Sequence, residues 1–360
     1  MTLSPADEAV LLDAAKRGDE WAFGRLVTAR RQELHAHCYR MLASVDDADD
    51  AVQEALVRAW RALPSFEGRS SLRTWLVKIA TNTALDLATK RTRRELPVSF
   101  GPEAGPAERP GGPRTEVAWM TPYPGSRDAE AALPEASYAA RERLELAYVA
   151  ALQRLPALQR AVFILREALD FSAAETATIL ETSVSAVNSA LQRARAELRD
   201  RLPEVSQQTE LDRIGDTAAR KLAARYARAI EQADLDTLLS LLTEDASWSM
   251  PPLASWYRGP ENIRAFLAAD VFPERWRHET TWANGQLAVA GYLFYPERNG
   301  FEPAALDVLE LRNGRIASVT GFLVIHSTKS GDTGPPPVGL FTRFGLPELL
   351  PPKGAGDSRE

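Results

Sequence analysis

From Asp7 to about Arg94, apolar residues recur at every third or fourth position with few prolines or glycines, and this spacing predicts a bundle of helices. Ser44-Val-Asp-Asp47 has the Ser/Thr-x-x-Asp/Glu form that caps a helix start, and Val52, Ala55, Leu56, Ala59, Trp60 and Leu63 then mark one buried face. The periodicity stops between Glu95 and Pro134, where prolines alternate with Gly101, Gly105, Gly111, Gly112 and Gly125. Such a composition predicts an extended linker. Helical spacing returns from Ala136 to Leu202, broken at Pro156 and ended at Pro203, with a second capping box at Ser172-Ala-Ala-Glu175. After a polar connector, Glu204 to Gly215, Asp216 caps a predicted helix running to Gln232, and Leu235 to Leu242 form another. The texture then changes to aromatic-rich segments containing Trp248, Trp256, Tyr257, Trp276 and Trp282. ALDVLEL and RIASVTGFLVI, separated by Asn313-Gly314, predict a strand pair with a type I′ turn. Two helices followed by a curved antiparallel sheet make an α+β unit. The tail carries a short apolar cluster, Phe341, Phe344, Leu346, Leu349 and Leu350, suited to reach across to another part of the chain. No internal repeat is present.

The 360 residues suit two or three compact units, and the net charge of -6 means that any surface for nucleic acid is local. Such a patch exists: Gly68 to Arg94 holds Arg69, Arg73, Lys78, Lys90, Arg91, Arg93 and Arg94 against Asp86 alone. Clustered basic side chains neutralise phosphates, and Trp75 among them suits either stacking on an exposed base or the core. On the helix after Ser44, the face opposite the apolar one carries Asp46, Asp50, Gln53, Glu54, Arg58 and Arg61, acidic first and basic last, as the helix dipole favours. A plain solvated face explains that pattern equally well. One cysteine, Cys38, excludes an intrachain disulfide and a cysteine-rich zinc site. With no export signal and no apolar run of about 20 residues, the expected location is cytoplasmic and away from the membrane.

Around the second capping box the residues fit a helix-turn-helix at 173–192. Ala177 stands where the first helix must be small, Glu181 to Ser183 make the turn, and Val187 and Leu191 pack inward. Ser185, Ala186, Asn188, Ser189, Gln192, Arg193 and Arg195 are left for a DNA groove and its phosphates.

DADDAVQEALVRAWRAL followed by FEGRSSLRTWLVKIATNTALDLATKRTRR resembles region 2 of the extracytoplasmic-function (ECF) sigma factors, and FSAAETATILETSVSAVNSALQRARAEL resembles their region 4. The resemblance implies two all-α sigma domains: region 2 over 7–95 and region 4 over 136–203, joined by a linker over 96–135. It implies that Asp50, Val52, Gln53, Glu54, Arg58 and Arg61 dock on the polymerase β′ coiled coil. It assigns the minus-10 element to Phe66, Arg69, Ser70, Ser71, Arg73, Trp75, Asn82, Lys90, Arg91, Arg93 and Arg94. The seven outward residues of the second helix would read the minus-35 element while region 4 touches the β flap. Glu181 departs from the family's turn glycine, and Asn188 and Ala190 stand where basic residues are common. Trp119-Met-Thr-Pro-Tyr123 resembles the family's connector. Residues 215–329 are similar to an NTF2-like or SnoaL-like cone, followed by a tail over 330–360. Trp248, Met250, Trp256, Tyr257, Trp276, His278, Tyr292 and His326 are candidates to line a pocket in the cone, and most of them suit its core.

The expected function is therefore a transcription initiation factor modulated by its own C-terminal domain, with core RNA polymerase and promoter DNA as partners and no metal, nucleotide or other cofactor. The C-terminal domain or tail is expected to contact the sigma domains. Two alternatives stay open. A stand-alone DNA-binding regulator needs only the helix-turn-helix. An enzyme would place its chemistry in the cone, with Asp245, His278 and Asp307 as acid/base candidates, although no tight acid/base spacing supports it.

Overall fold

The computed structural model describes residues 3–125, 144–324 and 339–352. The chain divides into two compact units, Met1–Arg94 with Glu130–Glu204, and Glu95–Ala129 with Val205–Glu360.

Among the described residues the first unit is all-helical. Helices α1 (Pro5–Lys16), α2 (Glu20–Thr28), α3 (Arg31–Leu42), α4 (Val45–Ala62) and α5 (Leu72–Lys90) form the N-terminal bundle. Ser4, Asp19, Ser44 and Ser71 each accept a backbone N–H from the first turn, which fixes where α1, α2, α4 and α5 begin. Leu34, Met41, Val52, Ala55, Leu76, Val77 and Ala80 fill the space between α3, α4 and α5. Cys38 lies in the same core, where burial pushes its thiol up to about 12 and keeps it protonated and inert. His37 bonds Thr81 Oγ1 at 2.9 Å, and burial pushes it down to about 3, so it stays neutral.

Helices α6 (Leu146–Leu152), α7 (Ala157–Phe163), α8 (Ala173–Ile179) and α9 (Val184–Leu198) complete the first unit, and the predicted break at Pro156 falls between α6 and α7. The capping box on α8 is reciprocal: Glu175 N–H donates to Ser172 Oγ at 3.1 Å, and Ser172 N–H donates to the Glu175 carboxylate at 2.8 Å. Ser172→Ala should therefore destabilise this unit by about 1 kcal/mol in urea unfolding.

The second unit is α+β. Helices α10 (Gln207–Ile214), α11 (Asp216–Glu231), α12 (Leu235–Ser240) and α13 (Gly259–Phe266) accompany a six-stranded sheet. Its strands are β1 (Leu242–Ser249), β2 (Trp256–Arg258), β3 (Trp276–Ala283), β4 (Gln286–Tyr295), β5 (Gly300–Arg312) and β6 (Arg315–Leu323) in the order β2-β1-β6-β5-β4-β3. Asn313 and Gly314 both have positive φ, 53° and 72°, as the predicted turn between β5 and β6 requires. The sheet is not wholly antiparallel as expected: β1 runs parallel to β6. Register breaks at Gly291/Tyr292 and Glu310/Leu311 bend β4 and β5, and α11 packs on β3 and β4.

Helix α10 lies in the segment predicted to be a polar connector. Its buried polar side chains satisfy backbone groups at the end of β5 and in the two hairpin turns: Gln207 exchanges two hydrogen bonds with the Leu311 backbone, Gln208 donates to Gly285 O, and Glu210 accepts from Asn313 N–H. A short helix, α14 (Leu340–Arg343), belongs to the tail. No helix among the described residues is long and apolar enough to cross a membrane.

Candidate nucleic-acid interface

On α4 the apolar stripe turns inward and leaves Asp50, Gln53, Glu54, Arg58 and Arg61 exposed in one row. Arg58 bonds Glu54 at 2.8 Å and Asp86 of α5 at 3.1 Å, which holds its guanidinium flat along the helix surface. Val52 lies on the buried face that the periodicity predicts and not in the docking row that the resemblance implies. It is fully buried and supports the row from beneath, because its β-branched side chain falls on the apolar stripe.

The basic cluster after α5 folds back onto the acidic start of α4. Arg91 pairs with Asp47 and, at 3.4 Å, with Asp50, and Arg94 reaches Asp47 at 2.6 Å. Asp47, in the sequence a helix-cap residue, is buried, and its first-turn carboxylate faces the arginine cluster that follows α5. Lys90, Arg91 and Arg93 remain exposed, and Arg94 is partly covered.

The loop before α5 is organised by packing. Phe66 is buried, its ring 4.9 Å from that of Trp75 and under the Lys16 ammonium at 5.3 Å. This burial removes Phe66 from the surface on which a base would be received, while Trp75 and Asn82 stay partly accessible. Ser71 Oγ caps α5 by accepting from Thr74 N–H at 3.0 Å. Arg69 and Ser70 lie at the loop surface, with Arg69 3.0 Å from Glu67. Arg73 donates to Glu33 on α3 and to Leu169 O, with Phe171 4.8 Å beneath its guanidinium.

Helices α8 and α9 form the predicted helix-turn-helix. Ala177, Val187 and Leu191 are buried, whereas Ser185, Ala186, Asn188, Ser189, Gln192, Arg193 and Arg195 are all exposed on α9. Arg195 pairs with Glu167 at 2.5 Å. Asn188 and Gln192 stand one turn apart, so both amides face the same side, a geometry suited to adenine edges in a major groove.

A cleft of about 390 Å³ in this unit is lined by Arg91, Arg93, Arg94 and Asp47 on one side and by Gln153, Arg154 and Arg160 on the other. Buried Arg160 closes its floor by donating to four carbonyls, those of Met41, Leu152, Gln153 and Leu155. Burial pushes its guanidinium down to about 10, which leaves it charged at neutral pH. Its position inside the apolar run Arg160-Ala-Val-Phe-Ile-Leu was the available signal.

In the second unit the cone candidates separate into groups. Trp248 is buried against Tyr226 and Phe266. Trp276 is half-buried and stacks on His278, whose Nδ1 lies 3.5 Å from Glu231. Trp256, Tyr257 and Tyr292 were expected to line a pocket, but they hold other chain segments. Trp256 Nε1 donates to Gly101 O at 2.9 Å, and Tyr257 Oη donates to Glu108 O at 2.9 Å. Tyr292 Oη donates to Pro347 O at 3.0 Å and meets the Phe341 ring edge-on. The linker is bound further by Ala104 N–H on Trp256 O, Arg114 N–H on Pro252 O, and the exchange between Tyr123 and Asn284. The tail adds a bridge between Phe301 and Leu350. Phe341 and Leu350 thus pack on the sheet of their own unit; His326 and most of the tail lie outside the described residues.

The acid/base candidates do not converge. Asp245 is exposed and pairs with Arg312, which holds its carboxyl below the usual range. Asp307 is buried, accepts from Tyr226 Oη at 2.9 Å, and is pushed up to about 6 by burial, with smaller opposing effects from Tyr226 and His278. Tyr226 was not anticipated, although its position on the α11 stripe with Ala219, Ala223 and Ile230 placed it toward the sheet. Among the described residues no cluster of metal-ligating side chains occurs.

Models of three families match the chain: sigma-70 region 2 over residues 26–94, sigma-70 region 4 over 145–198, and a SnoaL-like domain over 223–319. An ECF RNA polymerase sigma factor of Mycobacterium tuberculosis, SigG, is 41% identical over 352 residues, covering 96% of this chain and 87% of that protein. The chain belongs to the ECF sigma factors. Another ECF sigma factor, SigW of Bacillus subtilis, is 31% identical over 190 residues, covering 53% of this chain and 94% of SigW. The crystal structure of the M. tuberculosis sigma factor SigJ shares the fold, with a TM-score of 0.54, 22% identity, and coverage of 82% of this chain and 94% of SigJ. As an ECF sigma factor, the protein serves promoter-directed transcription initiation, and it carries a SnoaL-like C-terminal domain.

Proposed function

We propose that this sigma factor grips the core polymerase through the exposed row on α4, with Asp50, Gln53, Glu54, Arg58 and Arg61 against the β′ coiled coil. The loop before α5, with Arg69, Ser70, Trp75, Asn82 and the Lys90 to Arg94 cluster, takes the minus-10 strand once it is melted, and α9 reads minus-35. The observation that carries the reading is α9 itself: Val187, Ala190, Leu191, Ala194 and Leu198 are buried and all seven groove candidates face outward. Melting needs no catalytic group, because a protein that binds only the open strand holds the duplex apart.

The cone modulates this activity through the linker between the two sigma segments. Residues Gly101 to Tyr123 are fastened to it by backbone and side-chain hydrogen bonds, so the reach of the tether depends on the cone. The two promoter elements lie about 25 base pairs apart, or roughly 85 Å at 3.4 Å per step. A compact body the size of the first unit has a radius of gyration of about 15 Å, so the two sigma segments must separate to engage both elements. We assign no catalysis to the cone: Asp307 and Tyr226 are committed to each other in the core, Asp245 faces Arg312, and Trp256, Tyr257 and Tyr292 hold linker and tail.

Run-off transcription with purified core polymerase on genomic promoter fragments tests the assignment. The full chain should initiate at specific sites, and Gln53→Ala/Glu54→Ala should reduce initiation at least tenfold, since losing about 1.4 kcal/mol of contact costs that factor. Initiation by the double variant at the parental level would remove α4 from the polymerase contact. A chain ended after Leu202 reports the sign of the cone's effect.

A further inference from the structure

Glu181 stands in the turn of the helix-turn-helix with φ of +51°, a left-handed backbone that strains a side chain with a Cβ and suits glycine. A residue held in an unfavoured conformation needs a compensating contact, and Glu181 has one outside its own motif. Its carboxylate lies 2.9 Å from the Lys78 ammonium on α5, and the pair holds the Glu181 carboxyl below the usual range. One turn and a half earlier on α5, Arg73 donates to Leu169 O and rests over Phe171, the residues that lead into α8. Both contacts join the basic face of α5 to the helix-turn-helix, and α8 packs directly on α5.

From this juxtaposition we propose that Glu181 is a latch: it holds the helix-turn-helix over the basic face of α5 and keeps the two sigma segments closed until polymerase and promoter separate them. That this closure also screens DNA-binding groups rests on the reading of α5 as the minus-10 surface; the latch itself does not. Of the α5 cations, Lys78 and Arg73 are each engaged by the segment that must leave. Glycine at 181 would relax the turn and remove the carboxylate together, so fold stability and closure would respond in opposite directions. A structural role confined to the turn cannot produce that split.

Spin labels at Glu20→Cys and Asp200→Cys in the full chain report the distance between the bundle and the end of α9; buried Cys38 remains unlabelled. Glu181→Gly should shift the ratio of open to closed molecules about two- to fivefold, the range expected for an exposed ion pair, without lowering the urea midpoint of the unit. Lys78→Met should give the same opening from the other partner with the turn untouched. An unchanged distance distribution in Glu181→Gly overturns the latch, and so does opening in Glu181→Gly that Lys78→Met fails to reproduce. Binding of a fluorescein-labelled single-stranded A/T 12-mer at low salt is the separate readout for α5: affinity that stays constant while the distance lengthens leaves the latch standing and removes α5 from the DNA surface.

Discussion

Replacing Arg160 with methionine is expected to lower the stability of the first unit by about 4 kcal/mol, because four buried carbonyls lose their donor at once and each unsatisfied group costs roughly 1–3 kcal/mol. The side chain is 7% exposed, so little water can take the guanidinium's place. Methionine conserves most of the volume, which isolates the hydrogen bonds from the packing. For a unit of this size the loss corresponds to a melting temperature lower by on the order of 10 °C. The carbonyls belong to the ends of α3 and α6 and to the residues just after α6, so the damage falls where the helix-turn-helix segment meets the bundle. Urea unfolding followed by hydrogen exchange of α3 and α7 amides measures it. A loss under about 1 kcal/mol would mean that water reaches those carbonyls and that Arg160 is not the joint.

Asp307→Asn is expected to stabilise the second unit, and to do so only above mildly acidic pH. Burial raises the folded carboxyl from its ordinary 3.8 to about 6, so the folded state binds the proton more tightly than the unfolded one. The associated stability is complete below the unfolded value and is lost as pH rises through the folded one. At pH 7.5 the ionised carboxylate therefore costs about 3 kcal/mol, falling to under about 1 kcal/mol at pH 4. Asparagine keeps an acceptor for the Tyr226 hydroxyl and carries no charge to desolvate. The gain should accordingly be large at pH 7.5 and nearly absent at pH 4, read from hydrogen exchange of β5 and β6. Gly321 opposite Asp307 makes the site possible, since a Cβ there would come within 2.6 Å of Asp307 Oδ1. If Asp307→Asn lowers stability at pH 7.5, the carboxylate has a stabilising partner in the core that outweighs its desolvation.

Local chemistry explains why much of this architecture is legible in one sequence. The caps at Ser44 and Ser172, the break at Pro156 and the Asn313-Gly314 turn each act within a few residues, so the pattern carries them directly. The inward stripe of α9 is equally local, and the outward set follows from it by helix geometry. The two sigma segments are legible because two family-like stretches follow one another in the family's order, although neither polar face alone would show it. Helix α10 was not legible: Gln207, Gln208 and Glu210 look like a solvated connector until the end of β5 and the two hairpin turns are there to receive them.

The pattern alone therefore determined most of the helices, the β5–β6 hairpin, the faces of α4 and α9, and the family. Tertiary structure decided the partners of charged and aromatic side chains: Asp47 with Arg91 and Arg94, Lys78 with Glu181, Tyr226 with Asp307, and Trp256 and Tyr257 with the linker instead of a ligand. The physical reason is range. Periodicity and caps depend on neighbours along the chain, whereas hydrogen-bond and ion-pair partners are chosen among groups that only folding brings within about 3 Å.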